Sequence, residues 1–208
     1  MIRVLLADDH TLVREGLKQL LSGAAGIAIA GEAGDGDAAL ALVRAHDYDV
    51  AVLDMSMPGL AGIELIKRVK LEKPRLPVLV LSMHGEHQYA ARALKAGASG
   101  YLTKDSAATQ LVSVIRKIAA GGVHISEATA AQLVGSPAAG DALPHTRLSD
   151  REFEIFRLLV AGEGVSDIAG RLRLSVKTVS THKTRILQKM EMDSAAALVR
   201  YAVEKQLL

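Results

Sequence analysis

The chemistry in this sequence is concentrated at the ends of four short apolar runs. RVLLADD ends in Asp8 and Asp9, DVAVLD in Asp54, PVLVLS in Ser82 and SGYLTK in Lys104. Three carboxylates, a hydroxyl and an ammonium suit a divalent cation and a phosphoryl group. Close carboxylates repel one another, and a hard cation such as Mg2+ relieves that repulsion while keeping water positions that a phosphoryl oxygen can take. A carboxylate is also a competent nucleophile that forms aspartyl phosphates. Lys104 can neutralise one phosphoryl oxygen, and Ser82 can donate a hydrogen bond to another. Taken singly, each residue has a plainer reading, an acid capping the next helix or a surface lysine. Together, at four strand ends, they weigh against it.

Something must bring these ends to one place. Runs this apolar and β-rich read as strands buried on both faces, as in a parallel sheet. Strands are expected at 2–8, 27–32, 49–54, 77–82 and 99–103, and helices near 12–21, 36–45, 61–72, 86–96 and 106–120. Pro58-Gly59, Pro74, Pro77, Gly97 and Gly121-Gly122 punctuate the joins. The alternation predicts an α/β, doubly wound, five-stranded parallel sheet with right-handed crossovers. Ligands of such sheets bind at the carboxyl ends of the strands.

Composition narrows the class. The chain has 208 residues, 50% hydrophobic and 23% charged, as in soluble globular proteins, with room for two small domains. Absence of cysteine excludes disulfides, thiolate metal sites and a Cys nucleophile, and fits a reducing compartment. The start, MIRVLLADDH, reads as a strand ending in acids rather than a signal peptide, and no apolar run approaches membrane-spanning length. A cytoplasmic protein without membrane partners is expected. No Gly-rich phosphate loop ending in Lys-Ser/Thr is present, which argues against a nucleotide-binding enzyme. Asp54-Met-Ser lacks the second acid that phosphatases with an aspartyl nucleophile carry two positions later. His10 and His84 lie beside the pocket without metal-pair spacing and read as loop histidines.

After Gly122 the character changes. Residues 126–134 could form a short helix, and Gly135-Ser-Pro-Ala-Ala-Gly140 with Pro144 reads as linker. The expected domains are 1–122, a linker over 123–146, and an all-α four-helix domain over 147–208. Ser149-Asp-Arg-Glu152 is a capping box, with Leu148 as its hydrophobic staple. Ser166 and Ser175 are the expected N-caps of the next two helices, and Asp193 of the last. A tight turn at Arg173-Leu174 makes a helix-turn-helix, whose second helix, Val176 to about Met190, enters the major groove. Its buried face should hold Val176, Val179, Ile186 and Leu187. From Arg171 to Met190 the chain carries Arg171, Arg173, Lys177, Lys183, Arg185 and Lys189 and no acid, which points to a polyanionic partner or to a solvated helix face.

The stretches LLADDH, VAVLDMSMPGLAGIEL, VLVLSMH and AGASGYLTKD resemble, in order and separation, the receiver domain of bacterial two-component response regulators, a flavodoxin-like fold. The resemblance implies that Asp54 accepts a phosphoryl group from a sensor histidine kinase. It implies that Asp8, Asp9, Asp54 and the Ser56 backbone carbonyl hold Mg2+ (or Mn2+). Ser82 and Lys104 match the residues that follow the phosphoryl group, and Tyr101 the aromatic switch. LSDREFEIFRLLVAGEGVSDIAGRLRLSVKTVSTHKTRILQKM resembles the LuxR-type helix-turn-helix of NarL/FixJ regulators. By that analogy Lys177, Ser180, Thr181 and Thr184 face the groove of double-stranded promoter DNA, Lys183 and Arg185 bind phosphates, and Thr178 belongs to the same DNA-binding set. Many members carry a long basic or amide residue in place of Ser180.

The expected function is thus a transcription regulator switched by phosphorylation, which alters dimerisation, exposure of the recognition helix, or both. It is not an enzyme, beyond slow self-catalysed phosphorylation and dephosphorylation of Asp54. Two rivals predict different behaviour. A metal-dependent phosphoryl-transfer enzyme would turn over without a kinase, and a phosphorylation-independent DNA-binding protein would keep one DNA affinity throughout.

Overall fold

The structure is a computed structural model, and it describes residues 1–60, 62–83, 87–126, 130, 143–205 and 207. The chain divides into two compact units, Met1–Val134 and Gly135–Leu208.

In the first unit, strands β1 (Ile2–Ala7), β2 (Ile27–Ala33), β3 (Val50–Asp54), β4 (Val78–Ser82) and β5 (Gly100–Thr103) alternate with helices α1 (Thr11–Ser22), α2 (Gly36–Ala45), α3 (Gly62–Glu72), α4 (His87–Lys95) and α5 (Lys104–Ala119). The sheet order is β2-β1-β3-β4-β5 and every pairing is parallel. All residues of β3 and β4 are buried, because helices cover both faces and alternation has no solvent side to serve. Leu6, Val52 and Leu81 pack with Leu17, Leu21, Leu111 and Ile115 of α1 and α5 in one core cluster. The strand order reverses at β1, which opens a crevice at the carboxyl ends of β1 and β3. Register brings the ends level: Ala7 faces Leu53, Asp54 faces Leu81, and Ser82 faces Thr103.

The segment after α5 differs from its reading as linker. His124 bridges β5 in parallel opposite Gly100. Its N–H donates to the Ser99 carbonyl (3.0 Å) and its carbonyl accepts from Tyr101 N–H (3.1 Å). An isolated bridge therefore ties the chain past residue 122 to the edge of the sheet. Of the helix expected at 126–134, Ala130 N–H donates to the Ser126 carbonyl at 2.9 Å, and the rest lies outside the described residues, as do His84 and 135–142.

The second unit holds a 3-10 turn (Pro144–Arg147), then α6 (Asp150–Val160), α7 (Val165–Arg171), α8 (Val176–Met190) and α9 (Ala195–Glu204). Phe153, Phe156, Ile168, Val179, Ile186, Leu198 and Ala202 form its core. The 3-10 turn is part of that core rather than linker, for His145 is fully buried and its Nδ1 lies 2.6 Å from the Tyr201 hydroxyl. The Ser149–Glu152 capping box forms as expected. Gly164 takes the N-cap place expected of Ser166, and Ser194, whose side chain accepts from Ala197 N–H, that of Asp193. Val176 is exposed and Met190 buried. Val176 is the first helical residue, before a full turn exists to carry it inward, so the buried seam runs Val179, Ile186, Met190 with Leu187 at its margin.

Candidate functional site

Asp8 and Asp9 leave the end of β1, where Asp8 N–H still pairs with the Ala33 carbonyl of β2 at 3.1 Å. Asp54 is the last residue of β3, and Lys104 starts α5 directly after β5. The Thr103 hydroxyl accepts from Ser106 N–H at 3.2 Å, which caps α5 and fixes the direction of the Lys104 stem. Its ammonium sits 2.6 Å from Asp8 Oδ2 and 2.9 Å from Asp54 Oδ2, bridging two strands' carboxylates. Asp8 and Asp54 are buried, as is Ser82 on the next strand, and Tyr101 is half-buried. Ser56 N–H donates to Asp54 Oδ1 at 3.2 Å. The expected pocket residues thus do lie on neighbouring strand ends.

The electrostatics are those of an anionic site with one resident cation. Burial foremost pushes the Asp54 carboxyl above its ordinary range and the Asp8 charge adds to this, while Lys104 and the Ser56 amide oppose them. Burial also disfavours the Lys104 ammonium, but hydrogen bonding and charge from Asp8 and Asp54 outweigh it and raise its pKa above the ordinary lysine value. Asp8 Oδ2 is buried against the Lys104 ammonium, and Asp9 Oδ1 is buried with the His10 ring nitrogen 2.9 Å away but no well-aligned hydrogen bond. Carboxylate oxygens held dry and close together suit a cation. Carboxylate oxygens of Asp8, Asp9 and Asp54 and a ring nitrogen of His10 all lie within 4.8 Å of one another. From sequence His10 reads as a loop histidine, and the structure sets its ring beside the acids. Its position directly after two strand-end acids was the available signal.

In the second unit, α7 and α8 are joined by a turn in which Arg173 adopts φ +51°, a left-handed conformation uncommon outside glycine. Leu174 N–H returns to the Ala169 carbonyl (2.9 Å), closing the turn. Along α8, Lys177, Ser180, Thr181, Thr184 and Arg185 are exposed, and Thr178 and Lys183 half-exposed. The Thr178 hydroxyl lies 2.7 Å from the capping Ser175 hydroxyl. Thr181 and Thr184 donate to the carbonyls of Lys177 and Ser180 one turn back, which leaves their oxygens free to accept. Burial lowers the His182 pKa, and its Nδ1 has no partner among the described residues.

The basic run is less uniform than its sequence. Lys189 turns inward to Glu152 at 2.6 Å and Arg171 pairs with Glu163 at 2.6 Å. Both acids lie outside the acid-free stretch, which is why sequence spacing missed the pairs. Among the described residues, Lys177, Lys183 and Arg185 have no carboxylate in ion-pair reach. No helix among the described residues is long and apolar enough to cross a membrane.

Residues 4–116 match the family described as the response regulator receiver domain, and residues 146–202 the bacterial regulatory proteins of the luxR family. The chain is 35% identical over 205 residues to the response regulator UvrY of Escherichia coli K12, covering 98% of this chain and 94% of that one. Among solved structures it is similar to the RcsB response regulator of Salmonella typhimurium, with TM-score 0.76, 29% identity, and 98% and 97% of the two chains covered. It is also similar to RcsB of Salmonella enterica serovar Typhimurium bound to promoter rprA with the phosphomimetic BeF3-, with TM-score 0.71, 28% identity, and 96% and 97% covered. The pocket residues and the helix-turn-helix fall inside the two matched segments, and the chain belongs to the NarL/FixJ-type response regulators, transcription regulators of two-component systems that join a receiver domain to a LuxR-type DNA-binding domain.

Proposed function

We propose that the protein is a cytoplasmic switch in which Asp54 receives a phosphoryl group from a sensor histidine kinase, and that phosphorylation alters dimerisation, exposure of α8, or both. The observation that carries this is the Lys104 ammonium, just past the end of β5, shared between Asp8 and Asp54 at the ends of the adjacent strands β1 and β3. An Asp54 carboxylate oxygen attacks phosphorus, the phosphorus–nitrogen bond of the kinase phosphohistidine breaks, and the ring, already protonated on its other nitrogen, keeps that proton and leaves as neutral imidazole. Asp8, Asp9, Asp54 and the Ser56 carbonyl would hold Mg2+ or Mn2+, which supplies charge neutralisation for the incoming phosphoryl oxygens. Ser82 donates to one phosphoryl oxygen and Lys104 pairs with another, and Tyr101 changes rotamer as Ser82 moves. Slow self-catalysed loss of the group is expected from the same pocket.

On the DNA side, Lys177, Thr178, Ser180, Thr181 and Thr184 face the major groove and Lys183 and Arg185 the phosphates. Short hydroxyls suit base edges and long cations suit the backbone. The promoter complex of RcsB, at 28% identity over 96% of this chain, supports this placement. A two-fold homodimer would read paired half-sites.

Incubation with acetyl phosphate and Mg2+ should add one phosphoryl mass to the intact protein and change its oligomeric state or DNA affinity. Asp54→Ala should take up none. An adduct that persists in Asp54→Ala, or none in the wild type, refutes the assignment.

A further inference from the structure

His10 occupies a place beside the acid cluster that the proposed function leaves unused. Its backbone N–H donates to Asp8 Oδ1 at 2.8 Å, which pins the residue next to the acids. Its ring Nδ1 lies 2.9 Å from Asp9 Oδ1 and 3.5 Å from Asp8 Oδ1. Ligands on adjacent corners of an octahedral ion, with bonds of roughly 2.1 Å, are roughly 3 Å apart. The Nδ1–Asp9 edge has that length. An Nδ1–H hydrogen bond would have it too, so the ring is either an inner ligand or a prop for Asp9.

Two features favour the ligand. Asp9 Oδ1 accepts no well-aligned hydrogen bond, which a propping imidazole would supply. The ring nitrogen also falls within the same 4.8 Å as the three carboxylate oxygens. With its proton on Nε2, a neutral imidazole presents a lone pair at Nδ1. Three oxygens and one imidazole nitrogen are a borderline donor set. Oxygen-only sites suit Mg2+, whereas imidazole raises affinity for first-row transition ions in the order Mn2+ below Co2+.

We propose that His10 is a fourth side-chain ligand of the receiver pocket and biases it toward Mn2+ or Co2+ over Mg2+. The inference rests on the cation-binding reading of the Asp8–Asp9–Asp54 cluster. It extends that reading from an oxygen-only site to one that also offers an imidazole nitrogen.

The test uses tag-free full-length protein stripped with chelator and titrated calorimetrically with MgCl2, MnCl2 and CoCl2. The wild type should bind Co2+ and Mn2+ more tightly than Mg2+. His10→Ala should weaken Co2+ and Mn2+ at least 10-fold, on the scale seen when metal-site partners are removed, while Mg2+ changes less than about 3-fold. Electron spin echo spectra of the Mn2+ form should show a directly bound nitrogen, absent in His10→Ala. Equal weakening for all three ions, or no nitrogen coupling in the wild type, makes His10 a prop and overturns this proposal alone. If wild type binds none of the ions, or Asp9→Asn binds them equally well, the cation-site reading falls with it.

Discussion

Lys104 is a small cation placed where two buried carboxylates need one. In water such a pair contributes little, but at 7% side-chain exposure the ammonium is what makes Asp8 and Asp54 tolerable together. Glu152 has the same logic in the helical unit. It is buried, closes the capping box with Ser149, and accepts from Lys189 at 2.6 Å. Burial works against its charge, yet the Lys189 and Ser149 hydrogen bonds prevail and hold its pKa below the ordinary 4.5. A depressed carboxylate stabilises the fold above its unfolded pKa, and that contribution fades as pH falls through the lower, folded value. Glu152→Gln should therefore cost about 1–2 kcal/mol near neutrality. The gap should close progressively below pH 4.5 in urea unfolding followed by circular dichroism. A pH-independent gap would mean that Glu152 acts through packing alone.

Among the elements, the close approach of α2 to the loop before α3 is the least forgiving. A Cβ on Gly36 would lie 1.5 Å from the Leu60 carbonyl oxygen, so backbone must move. Gly36→Ala should lower receiver stability by about 1–3 kcal/mol or more. Gly16, exposed in α1 with nothing within 4 Å of such a Cβ, is its control. Gly16→Ala should raise the melting temperature, worth about 0.5–1 kcal/mol. The order of strands and helices was legible because buried parallel strands write themselves as unbroken apolar runs, and the pocket because its residues end those runs. What was not legible depended on three-dimensional partners. Ser166 looks like an N-cap, but Gly164 holds that place, with Asp167 so near that a Cβ would lie 2.9 Å from its Oδ2. Pro144 looked like linker until His145 found Tyr201 across the core.

For the molecule as a whole, the same distinction governs DNA affinity. Lys177 is exposed and without a carboxylate partner among the described residues, whereas Lys189 is committed to Glu152. Lys177→Ala should weaken promoter binding and reduce the slope of log affinity against log salt by about one. Lys189→Ala should leave that slope unchanged and lower the helical unit's stability instead. Equal slopes for Lys177→Ala and wild type would show that the Lys177 charge does not enter the groove and displace counterions there.

The bridge at His124 bears on how this chain stays apart from copies of itself. An open parallel sheet ends in a row of unpaired amides and carbonyls, a template on which another chain can dock. On the outer side of β5, His124 takes up the Ser99 carbonyl and the Tyr101 amide. A single residue after α5 thereby blunts one rim of the sheet. His124→Pro removes the donor to Ser99 and should bring aggregation on heating to a lower temperature by light scattering. An unchanged onset would place the safeguard elsewhere. What reads in sequence as the first step toward a second domain also serves as a guard against self-templating.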